Sequence, residues 1–250
     1  MIQARGLVKA YAAVTAVKGI DLDARPGEIF GFLGPNGAGK TTTIKLLVGL
    51  LQPTAGTVAI DGVDLAAEPI RAKQRLGFIP DRPYIYNKLT GREFLRFIAG
   101  LYRMDGDWPH RMEDLLRLFE IADWGDELVE GYSHGMRQRL IFCAAFLHRP
   151  KALIVDEPMV GLDPKGARLL KRVFREYAGQ GNAIFMSTHT LDVAEEVCDR
   201  IAIIDRGEII ALGTMEELRA RAAGGRDLES IFLQLTGGDE SSDPVALLRG

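Results

Sequence analysis

Apolar positions in the first third of the chain fall into short runs. Ile2 to Val8 can form a strand, and Val17 to Leu22 alternates apolar with polar residues, the two-residue period of a half-buried strand. Glu28 to Leu33 is mostly apolar and reads as a buried strand; Arg25-Pro26-Gly27-Glu28 is the turn that leads into it. Thr42 to Leu50 then reads as a helix, broken by Pro53 to Gly56. Thr57 to Ile60 alternates again, and Asp61-Gly62 closes it as in a short hairpin. Leu76 to Ile79 is a further apolar run, stopped by Pro80-Asp81-Arg82-Pro83.

From Thr90 the period becomes helical. Thr90-Gly91-Arg92-Glu93 is a capping-box pattern, followed by Phe94, Leu95, Phe97, Ile98 and Leu101. A second helix is expected from Trp108 or Pro109 to Phe119, with Met112, Leu115, Leu116 and Phe119 on one face. A third follows Tyr132-Ser133 and carries Met136, Leu140, Cys143, Ala144 and Leu147. Beyond Pro150 strand and helix alternate. Ala152 to Val155 and Ala183 to Met186 read as strands, Pro164 to Tyr177 and Leu191 to Cys198 as helices. Ile201 to Ile204 and Glu208 to Leu212 flank the hairpin signal Asp205-Arg206-Gly207. Thr214, with Glu217 three residues on, caps a last helix. After Gly224-Gly225, Asp227 to Leu235 is expected to dock once more, and Gly237 to Pro244 to be disordered. The pattern predicts an α/β core with a helical subdomain inserted in its middle.

Within that frame, Gly34-Pro35-Asn36-Gly37-Ala38-Gly39-Lys40-Thr41 matches the P-loop pattern G-x-x-x-x-G-K-[ST], in the strand–loop–helix context the motif needs. Glycines let the backbone turn its N–H groups toward a phosphate, and the helix start adds donors and a favourable dipole. Lys40 would reach the β- and γ-phosphates and Thr41 would offer its hydroxyl to Mg²⁺. Downstream, Leu153-Ile154-Val155-Asp156-Glu157 places two acids at the C-terminal end of a strand, where ligands bind in open α/β sheets. Asp156 would hold Mg²⁺, and Glu157 could polarise an attacking water. The nearest match to a guanine-specificity motif, Asn87-Lys88-Leu89-Thr90, lacks its acid and begins a capping box, which argues against a GTPase.

Composition narrows the class. The 250 residues are 47% hydrophobic and 26% charged, as in a folded soluble protein. A net charge of −3 gives no sign of a nucleic-acid partner. Cys143 and Cys198 read as small core residues in a reducing compartment. No stretch approaches the roughly 18 apolar residues of a membrane span, and Met1 to Gly27 has no signal-peptide pattern. The chain is expected to be cytoplasmic, or held at a membrane by something else.

Four further stretches carry a family likeness. Tyr11 precedes the second strand; Ser133-His134-Gly135-Met136 leads into Arg137-Gln138-Arg139; Gly161-Leu162-Asp163-Pro164 follows the two acids; and His189 follows a strand and Ser187-Thr188. With the P-loop and Asp156-Glu157, all in the family's order, these make the chain resemble the nucleotide-binding subunit of an ABC transporter, from about Met1 to about Arg221. The resemblance implies an ATPase with ATP and Mg²⁺ at Gly34, Pro35, Asn36, Gly37, Ala38, Gly39, Lys40, Thr41 and Thr42. It implies stacking of adenine on Tyr11, a γ-phosphate contact from the switch histidine His189, and a second subunit whose Ser133, Gly135 and Asp163 complete the site. Lys40, Glu157 and His189 are the catalytic set it implies, and Thr41 and Asp156 the Mg²⁺ ligands. It also implies a homodimer bound to a separate integral membrane permease, with no nucleic acid, lying peripherally on the cytoplasmic face of the cell membrane. The implied fold is a P-loop NTPase core of the ABC ATPase type with a mixed sheet, an N-terminal antiparallel β region and the inserted helices at about 85–150. The cassette would cover 1–222 and a partly disordered tail 223–250.

This chain departs from the family pattern in places. The signature has Tyr132, His134 and Met136 where Leu, Gly and Gln are usual. Asp81 stands where the family has Gln, and Ala12 where Gly is usual. The signature form, the acid at 81 and the tail Leu228-Glu229-Ser230-Ile231-Phe232-Leu233 are similar to an exporter-like branch. Asp81 either joins the nucleotide and Mg²⁺ site or only opens the Pro-Asp-Arg-Pro turn. Ser133 is also a plain N-cap candidate. Tyr84 and Tyr86 either anchor a permease helix or pack on the inserted helices. The other function open to the sequence is a soluble ABC-type ATPase uncoupled from transport.

Overall fold

A computed structural model describes residues 1–82, 84–221 and 227–236, with residue 221 described by its backbone alone. The stretches 222–226 and 237–250, including the expected disordered segment 237–244, lie outside the described residues.

Two sheets form. The strands are β1 Ile2–Tyr11, β2 Val14–Ala24, β3 Ile29–Leu33, β4 Ala55–Ile60, β5 Val63–Asp64, β6 Leu76–Ile79, β7 Ala152–Asp156, β8 Ala183–Ser187, β9 Arg200–Asp205 and β10 Glu208–Gly213. The helices are α1 Lys40–Leu47, α2 Pro69–Gln74, α3 Gly91–Leu101, α4 Trp108–Leu118, α5 His134–Leu147, α6 Pro164–Gly179, α7 Leu191–Val197, α8 Met215–Arg221 and α9 Leu228–Thr236. A four-stranded sheet runs β2-β1-β4-β5, antiparallel throughout. A six-stranded sheet runs β10-β9-β3-β8-β7-β6, parallel except for the edge strand β10.

The two-residue period of the strands divides the core. Phe30 and Phe32 of β3, Ile154 of β7 and Phe185 of β8 face a cluster shared with the antiparallel sheet. Ile29 and Leu33, Leu153 and Val155, and Ile184 and Met186 face the opposite cluster, which takes in α3 to α7 and α9. The central strands are therefore buried on both faces, which is why they read as unbroken apolar runs.

Local chemistry fixes the joints. The capping box at Thr90 forms: Glu93 N–H donates to Thr90 Oγ1 at 3.2 Å and Thr90 N–H to Glu93 Oε2 at 2.8 Å. Asp61-Gly62 and Arg206-Gly207 both take positive φ at both positions, the two-residue hairpin geometry. Cys143 and Cys198 are buried free thiols, and burial pushes the Cys198 thiol up to about 12. The inserted helices α3 to α5 lie between β6 and β7, as the sequence period predicts. The six-residue helix α2 has no counterpart in the sequence reading; only Ala72 on it is buried, so it carries no apolar stripe. Among the described residues, no helix is long and apolar enough to cross a membrane.

Candidate nucleotide site

The sheet order brings the motifs into one row. At the C-terminal edge of neighbouring parallel strands, β3 delivers the P-loop, β8 delivers Ser187-Thr188-His189, β7 delivers Asp156-Glu157 and β6 delivers Pro80-Asp81. This is the edge at which open α/β sheets bind ligands.

The P-loop is held from behind. A side chain at Gly34 would meet the Ile204 carbonyl oxygen at 2.3 Å, so β9 passes too close for any Cβ. Gly39 has φ +111° and lies against the Ala16 carbonyl oxygen, so only glycine fits there. Helix α1 has no side-chain cap at Gly39, which leaves its start to a ligand anion. Lys40 donates to the carbonyl oxygens of Gly34 and Pro35 at 2.5 and 3.0 Å, arching across the loop. Burial pulls the Lys40 ammonium below its usual value, against the opposing charges of Glu157 and Asp156.

Asp156 and Glu157 diverge in role. Burial raises the Asp156 carboxyl against the Ser187 hydroxyl, and the charges of Glu157 and Asp81 push it up further while Lys40 opposes them. Glu157 leaves the strand in a left-handed conformation, φ +50°, which costs a non-glycine residue of order 1–3 kcal/mol. That backbone turn is fastened by Glu157 N–H donating to the Ser187 carbonyl at 2.9 Å. The carboxylate is then held twice: His189 Nδ1 lies 2.7 Å from Oε1, and Thr188 Oγ1 donates to Oε2 at 3.1 Å.

Thr41, Asp81 and Asp156 line one cavity of about 670 Å³. Among the described residues no three His, Cys, Asp or Glu side chains gather closely enough to hold an ion by themselves. A hydroxyl, a half-buried carboxylate and an open mouth fit Mg²⁺, which takes few protein ligands and completes its shell with water and phosphate oxygens. Ser187, paired across the ladder with Asp156, is buried and turns its hydroxyl to that carboxylate.

The remaining candidates sit apart from the carboxylates. Tyr11 closes β1 beneath the Lys9 ammonium, 5.4 Å from its ring centre, and Ala12 after it takes φ +21°. Its hairpin continues into Ala16, the residue touching Gly39, so the exposed ring lies at the P-loop end of the β1–β2 pair. Ser133 caps α5, its hydroxyl accepting from Met136 N–H at 3.2 Å. Gly135 abuts the loop of Gly161, and any side chain at Gly161 would strike the His134 ring at 2.2 Å. Asp163 caps α6 and accepts from Arg139 at 3.2 Å. The signature stretch and the Gly161 loop thus form one continuous surface. Sequence reading did not single out Thr188 or Arg139, whose partners stand 31 and 24 residues away; no local pattern marks such contacts.

Comparison with known proteins identifies the family. A family model described as ABC transporter matches residues 17–160, more than half of the chain. The linearmycin resistance ATP-binding protein LnrL of Bacillus subtilis is 37% identical over 225 residues, covering 90% of this chain and 72% of that protein. A fluoroquinolones export ATP-binding protein of Mycobacterium tuberculosis is 41% identical over 221 residues, covering 88% and 72%. A solved ATP-binding subunit of an ABC transporter superimposes with a TM-score of 0.90 at 33% identity, over 94% of this chain and 99% of the other. A dimeric bacterial ABC transporter cassette shares the fold, with a TM-score of 0.78 at 23% identity, over 86% and 99%. With the P-loop, the paired acids and the histidine on one sheet edge, the chain belongs to the ABC transporter family, as an ATP-binding and ATP-hydrolysing subunit.

Proposed function

We propose that two copies of this chain sandwich two ATP molecules and that their closing and opening drives a separate membrane permease, in the direction of export. The observation that carries the reading is the carboxylate of Glu157, held by His189 and Thr188 beside Lys40 and the P-loop, while Ser133 and Gly135 stand on α5 against the Gly161 loop. Each chain thus presents one half of a site and the complementary half of another. ATP's phosphates would be held by the backbone from Gly34 to Thr42 and by Lys40, with Tyr11 under the base. Mg²⁺, on Thr41 and Asp156, would neutralise charge on the β- and γ-phosphate oxygens. Glu157 accepts a proton from the attacking water as the oxygen joins the γ-phosphorus and the bond to ADP breaks. His189 orients that carboxylate. Across the dimer, Ser133 Oγ and Gly135 N–H of the partner would donate to the γ-phosphate.

The cavity between the core and the inserted helices supports a permease contact. Beyond Asp81 and Asp156 its walls are chiefly apolar, from Ile44, Phe78, Phe94, Ile98 and Ile141. Tyr84 lines it and is 86% exposed, and Tyr86, two residues on, is 60% exposed. We read it as the seat of a cytoplasmic helix of the permease, which would hold the chain at the inner face of the membrane. The names of the two relatives, one for resistance and one for export, support outward transport. Size-exclusion of Glu157→Gln with MgATP tests the dimer: an ATP-bound species of twice the mass is expected, with hydrolysis nearly abolished. A Glu157→Gln protein that turns over ATP at the parental rate would rule out Glu157 as the base.

A further inference from the structure

Helix α9, the last among the described residues, reaches the nucleotide edge, although 39 residues separate its start from the switch histidine in sequence. Its Leu228 and Ile231 are fully buried in the cluster that holds Ala194 and Val197 of α7. Helix α9 packs on both α7 and α8. One position beyond Ile231, the half-buried ring of Phe232 lines a recess of about 210 Å³. Gly34, Pro35 and Asn36 of the P-loop form one side of that recess; Thr188, His189 and Leu191 form the other.

Thr188 is buried, whereas His189 and Thr190 after it are exposed. Helix α7 has no side-chain cap at Thr190. The Thr188–Thr190 turn is tied by Thr190 N–H donating to Thr188 Oγ1 at 3.1 Å and by the two contacts to Glu157. On its outer side, away from Glu157, it shares the recess with Phe232 and the P-loop. Polar ties aim His189 at Glu157, and the Phe232 ring stands on the side to which it would swing away from Glu157.

We infer that Phe232 is a positioning residue for ATP hydrolysis: its ring braces the start of α7 so that His189 stays between Glu157 and the P-loop. The inference rests on the reading of Glu157 and His189 as the hydrolytic pair. A rigid aromatic ring suits the task because it bounds the recess with few rotatable bonds, whereas a shorter aliphatic chain widens it. The effect falls on turnover and spares binding, because the P-loop backbone that grips the nucleotide is held independently by Ile204 and Ala16.

Full-length Phe232→Ala, Phe232→Leu and Phe232→Tyr are assayed for MgATP turnover, with Leu233→Ala, exposed on the same helix, as control. Expected are a fall in kcat of about tenfold for Ala and about threefold for Leu, KM within twofold, and parental turnover for Tyr and for Leu233→Ala. The Leu variant carries the test if Phe232→Ala fails to fold. In single-turnover reactions, either Phe232 substitution added to His189→Gln should cost less than twofold more, because the brace acts through that histidine. Parental kcat in Phe232→Ala and Phe232→Leu, a rise in KM matching the fall in kcat, or full additivity with His189→Gln would each overturn the inference. Glu157→Gln and His189→Gln run alongside: parental turnover in both would sink the hydrolytic-pair reading itself, whereas losses there with parental Phe232 variants would sink the brace alone.

Discussion

His189 Nδ1 and Glu157 Oε1 lie 2.7 Å apart across the β7–β8 edge, and Thr188 takes the other carboxylate oxygen at 3.1 Å. A carboxylate so held cannot rotate freely, and its backbone is already committed to φ +50°. The orientation of the proposed base is therefore spread over two neighbours.

Thr188→Val tests the less obvious of those neighbours. The change keeps the shape of a buried side chain and deletes the hydroxyl that donates to Glu157 and accepts from Thr190. A hydrogen bond to a charged group contributes about 1.5–3 kcal/mol. Turnover should fall roughly tenfold or more, with ATP affinity unchanged by equilibrium binding. A kcat equal to the parent would show that His189 alone orients the carboxylate.

Tyr86→Ala tests the permease seat. Tyr86 meets Phe97 edge to face, with ring centres 5.3 Å apart, yet stays 60% exposed. Its ring therefore both packs on α3 and offers a free face, joining the two readings the sequence left open. Loss of the ring should weaken capture of the permease in a pull-down and leave ATP affinity intact. Equal retention by a folded variant would make Tyr86 a packing residue only.

What could be read in the sequence was whatever is encoded locally. The capping box at Thr90, the Asp61-Gly62 and Arg206-Gly207 turns and the apolar run of β7 each state their geometry within a few residues. The P-loop did so as well, since its glycines answer to nearby φ and clearance. The pairing of His189 with Glu157, the hold of Arg139 on Asp163 and the reach of Phe232 to the P-loop were not legible. Each depends on tertiary packing, and the pairing of β7 with β8, Asp156 against Ser187, sets the first of them. Helix α2 went unread because its buried surface is a single alanine.

His148 gives a pH prediction away from the nucleotide. Its ring stacks on Tyr102 at 3.8 Å, and Nε2 donates to the Leu76 carbonyl at 3.1 Å. Nδ1 is buried, so a second proton there would sit in a desolvated site beside the Ala144 carbonyl. Burial lowers its pKa to about 4, helped by the Arg111 charge and against the pull of the Leu76 and Ala144 carbonyls. The unfolded chain binds the proton below about 6.5 while the folded chain resists until about 4. The stabilisation is therefore complete above pH 6.5 and is lost progressively as pH falls through that window, by at most about 1.4 kcal/mol per pH unit. Urea midpoints of parent and His148→Gln at pH 7 and pH 5 check this. The variant should lose less stability on acidification, and equal losses would assign the effect to other groups.

The last prediction concerns the acid at position 81. Asp81 is exposed, yet it lines the same cavity as Thr41 and Asp156, and its charge helps raise the Asp156 carboxyl. Two carboxylates facing one corner repel unless a cation lies between them, and Mg²⁺ inverts that repulsion. If Asp81 reaches the ion or its water shell, removing its charge relieves Asp156 without the metal and weakens the site with it. Turnover of the parent should then depend more steeply on Mg²⁺ at fixed ATP than that of Asp81→Gln, and Asp81→Asn should keep the turn while binding Mg²⁺ less tightly. If Asp81 only opens the turn after β6, where a short polar side chain suits the backbone, the metal dependence stays put. Three ATPase curves against Mg²⁺, for parent, Asp81→Asn and Asp81→Gln, distinguish the two. Curves that superimpose would make Asp81 a turn residue, and a rightward shift in both variants would place its carboxylate at the metal.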